Sequence, residues 1–124
     1  MTEIVKIVLN GCFGGFGLSD EAVKRYAEIK GWTWEKDEYD YINLINEQGE
    51  RLSSYDLGED RTDPVLVQVV EELGEAADSD YSELYIESVE EGTKYFIDEY
   101  DGIESLRTQD DIDWSVALKY VLTK

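Results

Sequence analysis

The sequence predicts an α+β fold, a small mixed or antiparallel sheet carrying two or three helices in the order β-α-β-α-β-β with a further closing helix. Three observations lead there. A nearly unbroken apolar run, Ile4-Val5-Lys6-Ile7-Val8-Leu9, opens the chain as a strand covered on both faces. Two segments, after Ser19 and after Asp63, repeat apolar residues at helical spacing behind clear start signals. Elsewhere, short stretches alternate apolar and polar residues as half-exposed strands do. Neither a linker nor an internal repeat divides the 124 residues, so one domain over 1–124 is expected.

In the first strand Lys6 breaks the apolar run and is expected to reach past an edge. Asn10-Gly11-Cys12-Phe13-Gly14-Gly15-Phe16-Gly17-Leu18-Ser19 then stops the strand, with four of the ten glycines and the only cysteine. Ser19 is a good N-cap, and Asp20 and Glu21 follow in the first turn, where the helix dipole favours acids. Ala22, Val23, Tyr26 and Ala27 share one helix face, and Gly31 sits where a terminating glycine belongs. Trp32-Thr33-Trp34-Glu35 reads as a strand or extended edge. Tyr41 to Asn46 reads as a short strand closed by a turn at Glu47-Gln48-Gly49-Glu50, and Arg51 to Asp60 as a loop with little regular structure.

Asp63-Pro64 is the clearest helix start in the chain. Asp63 caps, and proline at the first helical position gives up no needed hydrogen bond. Leu66, Val69, Val70 and Leu73 keep the core-facing spacing, until Gly74 or Asp78-Ser79-Asp80 ends the helix. Glu83 to Val89 and Lys94 to Tyr100 alternate as two strands, read as an antiparallel hairpin around Glu90-Glu91-Gly92-Thr93. Asp101-Gly102 is a strong turn dipeptide, after which Ile103 to Leu106 offer a further strand. Residues 110–124 suit both a helix and an alternating strand, and a helix is the choice made here.

Composition narrows the function. Apolar residues make up 42 % of the chain and aromatics 12 %, enough for a core. Thirty acids against eleven bases give a net charge of −19. Residues 1–62 carry thirteen acids and seven bases, and residues 63–124 seventeen and four. Such a field repels nucleic acid and anionic lipid and speeds encounter with basic surfaces. It also simply keeps a small protein soluble. The absence of histidine removes His-dependent triads and the usual zinc ligand. Residues 1–9 are too short for a signal peptide and include Glu3 and Lys6, and no run approaches the roughly 20 apolar residues of a membrane span. Cys12 alone forms no internal disulfide, which suits a reducing compartment.

The glycine stretch supports three readings. As a phosphate cradle, Gly14, Gly15, Gly17 and Ser19 would present backbone N–H groups at a helix start. The stretch lacks the lysine and hydroxyl of the nucleotide-binding loop, however, and Asp20 and Glu21 oppose an anion. As architecture, the glycines let Phe13 and Phe16 fold back onto the core. As a contact surface, the two phenylalanines stay exposed. Cys12 has no histidine partner and is read as a small structural residue. The acidic runs 56–63 and 98–102 miss the calcium-loop pattern, so no metal and no cofactor is expected. Tyr39, Tyr41, Tyr55, Tyr81, Tyr85, Tyr95 and Tyr100 each lie within two residues of an acid. Tyrosines among carboxylates suit contact with Lys- and Arg-rich protein, or imitation of a nucleic-acid duplex with carboxylates in place of phosphates. They also suit an ordinary sheet surface.

Several segments together resemble a family of small phage and prophage proteins. They are Lys6-Ile7-Val8-Leu9-Asn10 with Cys12-Phe13-Gly14-Gly15-Phe16-Gly17-Leu18-Ser19-Asp20-Glu21-Ala22, Asp63-Pro64-Val65-Leu66-Val67 with Val70-Glu71-Glu72-Leu73-Gly74, and Leu84-Tyr85-Ile86 with Phe96-Ile97-Asp98-Glu99-Tyr100-Asp101-Gly102-Ile103-Glu104. The likeness covers most of residues 4–106, and the extension after Arg107 departs from it. It implies a phage-encoded accessory protein of the bacterial host cytoplasm and transfers no catalytic residues. The expected function is therefore a non-enzymatic acidic protein that binds and inhibits a basic host protein, with no direct nucleic-acid binding and no membrane. The expected contact residues are Phe13, Phe16, Tyr85, Tyr95, Asp98, Glu99, Tyr100 and Asp101. The alternative is capture of a nucleotide or other small ligand at Gly14, Gly15, Gly17 and Ser19.

Overall fold

β1, Ile4–Asn10, becomes completely buried from Ile7 onward, while its first residues remain at the surface. A computed structural model describes residues 3–111 and residue 117. The helix expected over 110–124 lies outside the described residues beyond a 3₁₀ turn at Gln109–Asp111. The both-faces covering expected of β1 thus holds for its second half. Lys6 does reach outward, to Glu71 at 2.7 Å.

The class is α+β, with every described strand ladder antiparallel and the strands divided among three small sheets. α1 spans Asp20–Lys30. Ser19 caps it by accepting the Ala22 N–H, Gly31 closes it in the left-handed conformation, and Ala22, Val23, Tyr26 and Ala27 are its buried face, as the spacing predicts. β2 (Thr33–Lys36), β3 (Ile42–Ile45) and β4 (Arg51–Leu52) form a meander. The stretch expected to be loop therefore holds an edge strand. It also holds a one-turn helix, α2 at Ser54–Leu57, because Ser53 and Asp56 form a reciprocal capping box.

α3, Pro64–Leu73, starts on Asp63 with proline in its first turn and buries Leu66, Val67, Val69 and Val70. Gly74 ends it, and a 3₁₀ turn, Gly74–Ala77, follows. β5 (Leu84–Glu90), β6 (Tyr95–Tyr100) and β7 (Ile103–Thr108) close the described chain. The expected hairpin between the first two of these strands does not form. β5 pairs instead with β1, from Ile4 opposite Glu90 to Asn10 opposite Leu84. β6 pairs with β7 around Asp101-Gly102, both at positive φ as a two-residue hairpin turn requires. The physical reason is burial. β1 holds more apolar residues than any other described strand, and pairing with it covers more apolar surface than a local hairpin would.

One core joins these parts. α3 packs on β1 and β5, α1 packs on α3 and β3, and Val8, Tyr26, Leu44, Leu66 and Val69 meet between them. A polar bond ties the helices within this core. The buried Tyr26 hydroxyl donates to Asp63 Oδ2 at 2.5 Å, while Asp63 Oδ1 accepts the Val65 N–H at 2.9 Å. Burial above all, then the Asp63 bond and charge, push the Tyr26 phenol well above its ordinary value of 10.0.

A raised folded-state pKa stabilises the fold fully below the unfolded value, and that contribution falls away as pH rises from there toward the folded value. Tyr26→Phe is expected to cost about 1–3 kcal/mol at neutral pH. It is also expected to flatten the loss of stability between about pH 9 and 11 in urea unfolding. Identical alkaline slopes in the two proteins would show that Tyr26 is not the responsible group.

Candidate binding cleft at the glycine loop

The turn from β1 into α1 is fixed by one buried amide and one buried ion pair. Asn10 is fully buried. Its Nδ2 donates to the carbonyls of Cys12 and Gly102, both at 2.8 Å, and its Oδ1 accepts the Glu83 N–H at 2.8 Å. Its own N–H goes to Glu104 Oε1 at 2.9 Å. Glu104, 7 % exposed, also grips the Arg61 guanidinium with both oxygens, at 2.5 and 2.8 Å. Arg61 donates further to the carbonyls of Val8 and Gly58, and its guanidinium lies 3.8 Å from the centroid of the Phe16 ring.

Two glycines permit this assembly. A Cβ on Gly14 would stand 1.8 Å from the Tyr81 carbonyl oxygen, and one on Gly102 would stand 2.2 Å from the Phe13 carbonyl oxygen. The loop is thus wedged between the segment carrying Tyr81 and the tip of the β6–β7 hairpin. Cys12 is part of this wedge, its thiol donating to the Tyr81 carbonyl at 3.0 Å. The architectural reading of the stretch is met for Phe16, which packs against Arg61 and the core. Phe13 points outward and is 67 % exposed.

On the outer side of the loop lies an open cleft of about 870 Å³. Its walls are Gly14 to Asp20, the turn at residues 37–43, the start of α2 at Ser53 to Tyr55, and residues 78–81. Four tyrosines, Tyr39, Tyr41, Tyr55 and Tyr81, stand around it, each between 69 and 77 % exposed. Asp20, Asp37, Asp40, Asp78 and Asp80 line it as well, and no Lys or Arg is among the described lining residues.

Local chemistry sets these walls. Asp37 Oδ1 accepts the N–H groups of Tyr39 and Tyr41, and its Oδ2 accepts the Asn43 amide, so one carboxylate shapes the turn that carries two tyrosines. Burial works to raise the Asp37 pKa, but the backbone N–H groups of Tyr41 and Tyr39, the Asn43 amide and the Arg51 charge outweigh it. The carboxyl therefore stays below its ordinary value and keeps its charge. Opposite, Ser82 Oγ donates to the Gly17 carbonyl at 2.8 Å and accepts the Ser79 N–H, and Asp78 Oδ1 accepts the Leu84 N–H. Asp20 and Asp80 enter no ion pair among the described residues.

The residues singled out from sequence separate into two groups. Phe16 and Tyr85 are used internally. The Tyr85 hydroxyl donates to the Glu104 carbonyl at 2.7 Å, and burial raises its phenol above the ordinary value, with Glu87 and Glu104 adding to the effect. Glu99 also serves the fold, accepting the Gly102 N–H at 2.7 Å. Asp98 pairs with Arg107 at 3.4 Å on the outer face of the β6–β7 hairpin. Tyr95, Tyr100 and Asp101 are exposed, and Asp101 adjoins Gly102, which packs against the backbone of Phe13. Gly14, Gly15, Gly17 and Ser19 do line the cleft, but Ser19 is engaged with Ala22 and with the Ala76 carbonyl at 2.6 Å. Sequence reasoning named the cleft tyrosines as acid-adjacent but did not bring them together, and it missed Arg61–Glu104. A signal for the former was Asp37-x-Tyr39-x-Tyr41, a carboxylate placed to accept backbone N–H groups two and four residues on.

Among the described residues no helix is long and apolar enough to cross a membrane, and no three Cys, Asp or Glu side chains converge as metal ligands do.

Gly102→Ala is expected to cost more than 2 kcal/mol, roughly the sum of a left-handed backbone and a forced displacement of the glycine loop. Gly92, at φ 89° with open space around it, is the control. Gly92→Ala should cost only about 1 kcal/mol. Chemical denaturation of both checks this, and equal losses would mean that the hairpin tip does not support the loop.

No family model, no curated protein and no solved structure matches the chain.

Proposed function

We propose that this chain is a phage-encoded, non-enzymatic binding protein that acts in the cytoplasm of a bacterial host. It captures a basic host protein through a negatively charged, tyrosine-bearing face and thereby blocks that protein. The observation that carries the reading is the cleft, where four exposed tyrosines stand with five aspartates and no described cation. Exposed aromatics in so polar a protein are contact surface, and carboxylates around them select a cationic partner. The net charge of −19 speeds the encounter and turns away nucleic acid and like-charged proteins. A nucleic-acid-binding defence protein fits this description, because its basic groove is complementary to such a face. Phe13, exposed on the glycine loop, and Tyr100 and Asp101, at the tip of the β6–β7 hairpin, extend the surface.

The alternative of a nucleotide held by Gly14, Gly15, Gly17 and Ser19 fares worse at the same cleft. A phosphate there would face Asp20, Asp78 and Asp80 with no described lysine or arginine to offset them.

Capture of host proteins on the immobilised chain is expected to weaken steeply with added salt. The double charge reversal Asp20→Lys with Asp80→Lys should abolish it. Neither side chain enters an ion pair among the described residues. A lysine in the first turn of α1 should cost only about 0.3–1 kcal/mol, so thermal unfolding should show a protein that is still folded. An assay of the captured protein's own activity should show inhibition by the native chain and not by the variant. Capture that ignores both salt and the charge reversal would overturn the proposal.

A further inference from the structure

We infer that the cleft recognises guanidinium groups, so that its occupant is an extended, arginine-bearing segment of the partner protein and not a lysine-rich one. This rests on the reading of the cleft as a site for a basic protein. The lining offers two kinds of surface side by side, tyrosine rings and carboxylates. A guanidinium uses both at once, because it is planar, stacks on an aromatic face, sheds water readily and forks onto a carboxylate. An ammonium is a compact, strongly hydrated charge, and gains less from a ring beside an acid.

The other side of the same loop displays this chemistry in finished form. Arg61 lies 3.8 Å from the Phe16 centroid while it forks onto Glu104. The lysine–ring contacts of the chain differ. From α1, Lys24 lies over Trp34 and Lys30 over Trp32 and Tyr26, and neither lysine enters an ion pair among the described residues. The carboxylates of the cleft are also held ready. Asp37 is fixed by two backbone N–H groups and Asp78 by another, while Asp20 and Asp80 enter no ion pair among the described residues.

Size and charge select the occupant. A volume of about 870 Å³ is at the upper end of ordinary ligand sites and has room for more than one side chain. Its openness along several loops suits a stretch of chain. A second copy of this protein is a poor occupant, since each copy carries −19.

Fluorescence anisotropy with labelled oligoarginine and oligolysine peptides of equal length tests the inference. The arginine peptide is expected to bind about tenfold more tightly, the scale of one or two ring–guanidinium contacts. Tyr55→Ser with Tyr81→Ser should erase that preference, and Asp20→Asn with Asp80→Asn should weaken both peptides alike. Circular dichroism of each variant verifies folding. Equal affinity for the two peptides would overturn the arginine inference and leave the basic-partner reading standing. A preference that survives the tyrosine changes would also overturn it, by placing recognition outside the cleft. Failure of both peptides to bind would overturn both readings.

Discussion

The Arg61–Glu104 pair is the constraint on which the rest of the structure depends. Moving two charges out of water costs several kcal/mol each, and the loss is offset only when every donor and acceptor finds a partner. Here that condition is met. Glu104 accepts from Arg61 and from the Asn10 N–H, and Arg61 also reaches the Val8 and Gly58 carbonyls. No described buried side-chain nitrogen or oxygen lacks a partner. These bonds come from β1, the loop before α3, and β7, three segments distant in sequence. The pair thus fixes the end of β1 against the β6–β7 hairpin, and Phe16 seals it from outside. Asn10 repeats the arrangement without charge, holding the glycine loop, the residue before β5 and the hairpin tip together.

This bracing explains how a glycine-rich loop can be a firm wall. Gly14 and Gly102 bring backbones too close for any side chain, and Asn10 and the ion pair hold them there. The strongly acidic composition is managed in the same way. One cation is spent deep inside, where its geometry is most demanding. Others, Arg25 with Glu72 and Lys6 with Glu71, tie α1 and β1 to α3 at the surface, where screening leaves each pair worth little. In the cleft Asp40 pairs with Lys36 at 3.9 Å, whereas Asp20, Asp78 and Asp80 enter no ion pair among the described residues.

Local physics made much of this readable from sequence. Ser19 and Gly31 around α1, and Asp63-Pro64 before α3, are signals that act within a few residues, and both helices formed where they pointed. β1 was legible because its apolar run is long. Three features were not legible, for the same reason. Pairing of β5 with β1 depends on which partner buries more apolar surface, a property of the whole molecule and not of the Glu90 to Thr93 turn. Arg61 and Glu104 are forty-three residues apart, and each looks like one more surface charge. The cleft joins residues from positions 14 to 81, so its tyrosines could be noticed singly but not placed together. α2 is a different kind of miss. Its Ser53-x-x-Asp56 signature was local and was present in the chain.

A double-mutant cycle on Arg61→Met and Glu104→Leu, followed by chemical denaturation, is the most direct test of this constraint. Each single change leaves a buried charge unpaired and should cost about 3–5 kcal/mol. The double variant should be far less damaged than the sum, with a coupling of about 2–3 kcal/mol. A coupling below about 0.5 kcal/mol, the size of an exposed pair, would contradict the claim that this ion pair holds the fold and its cleft together.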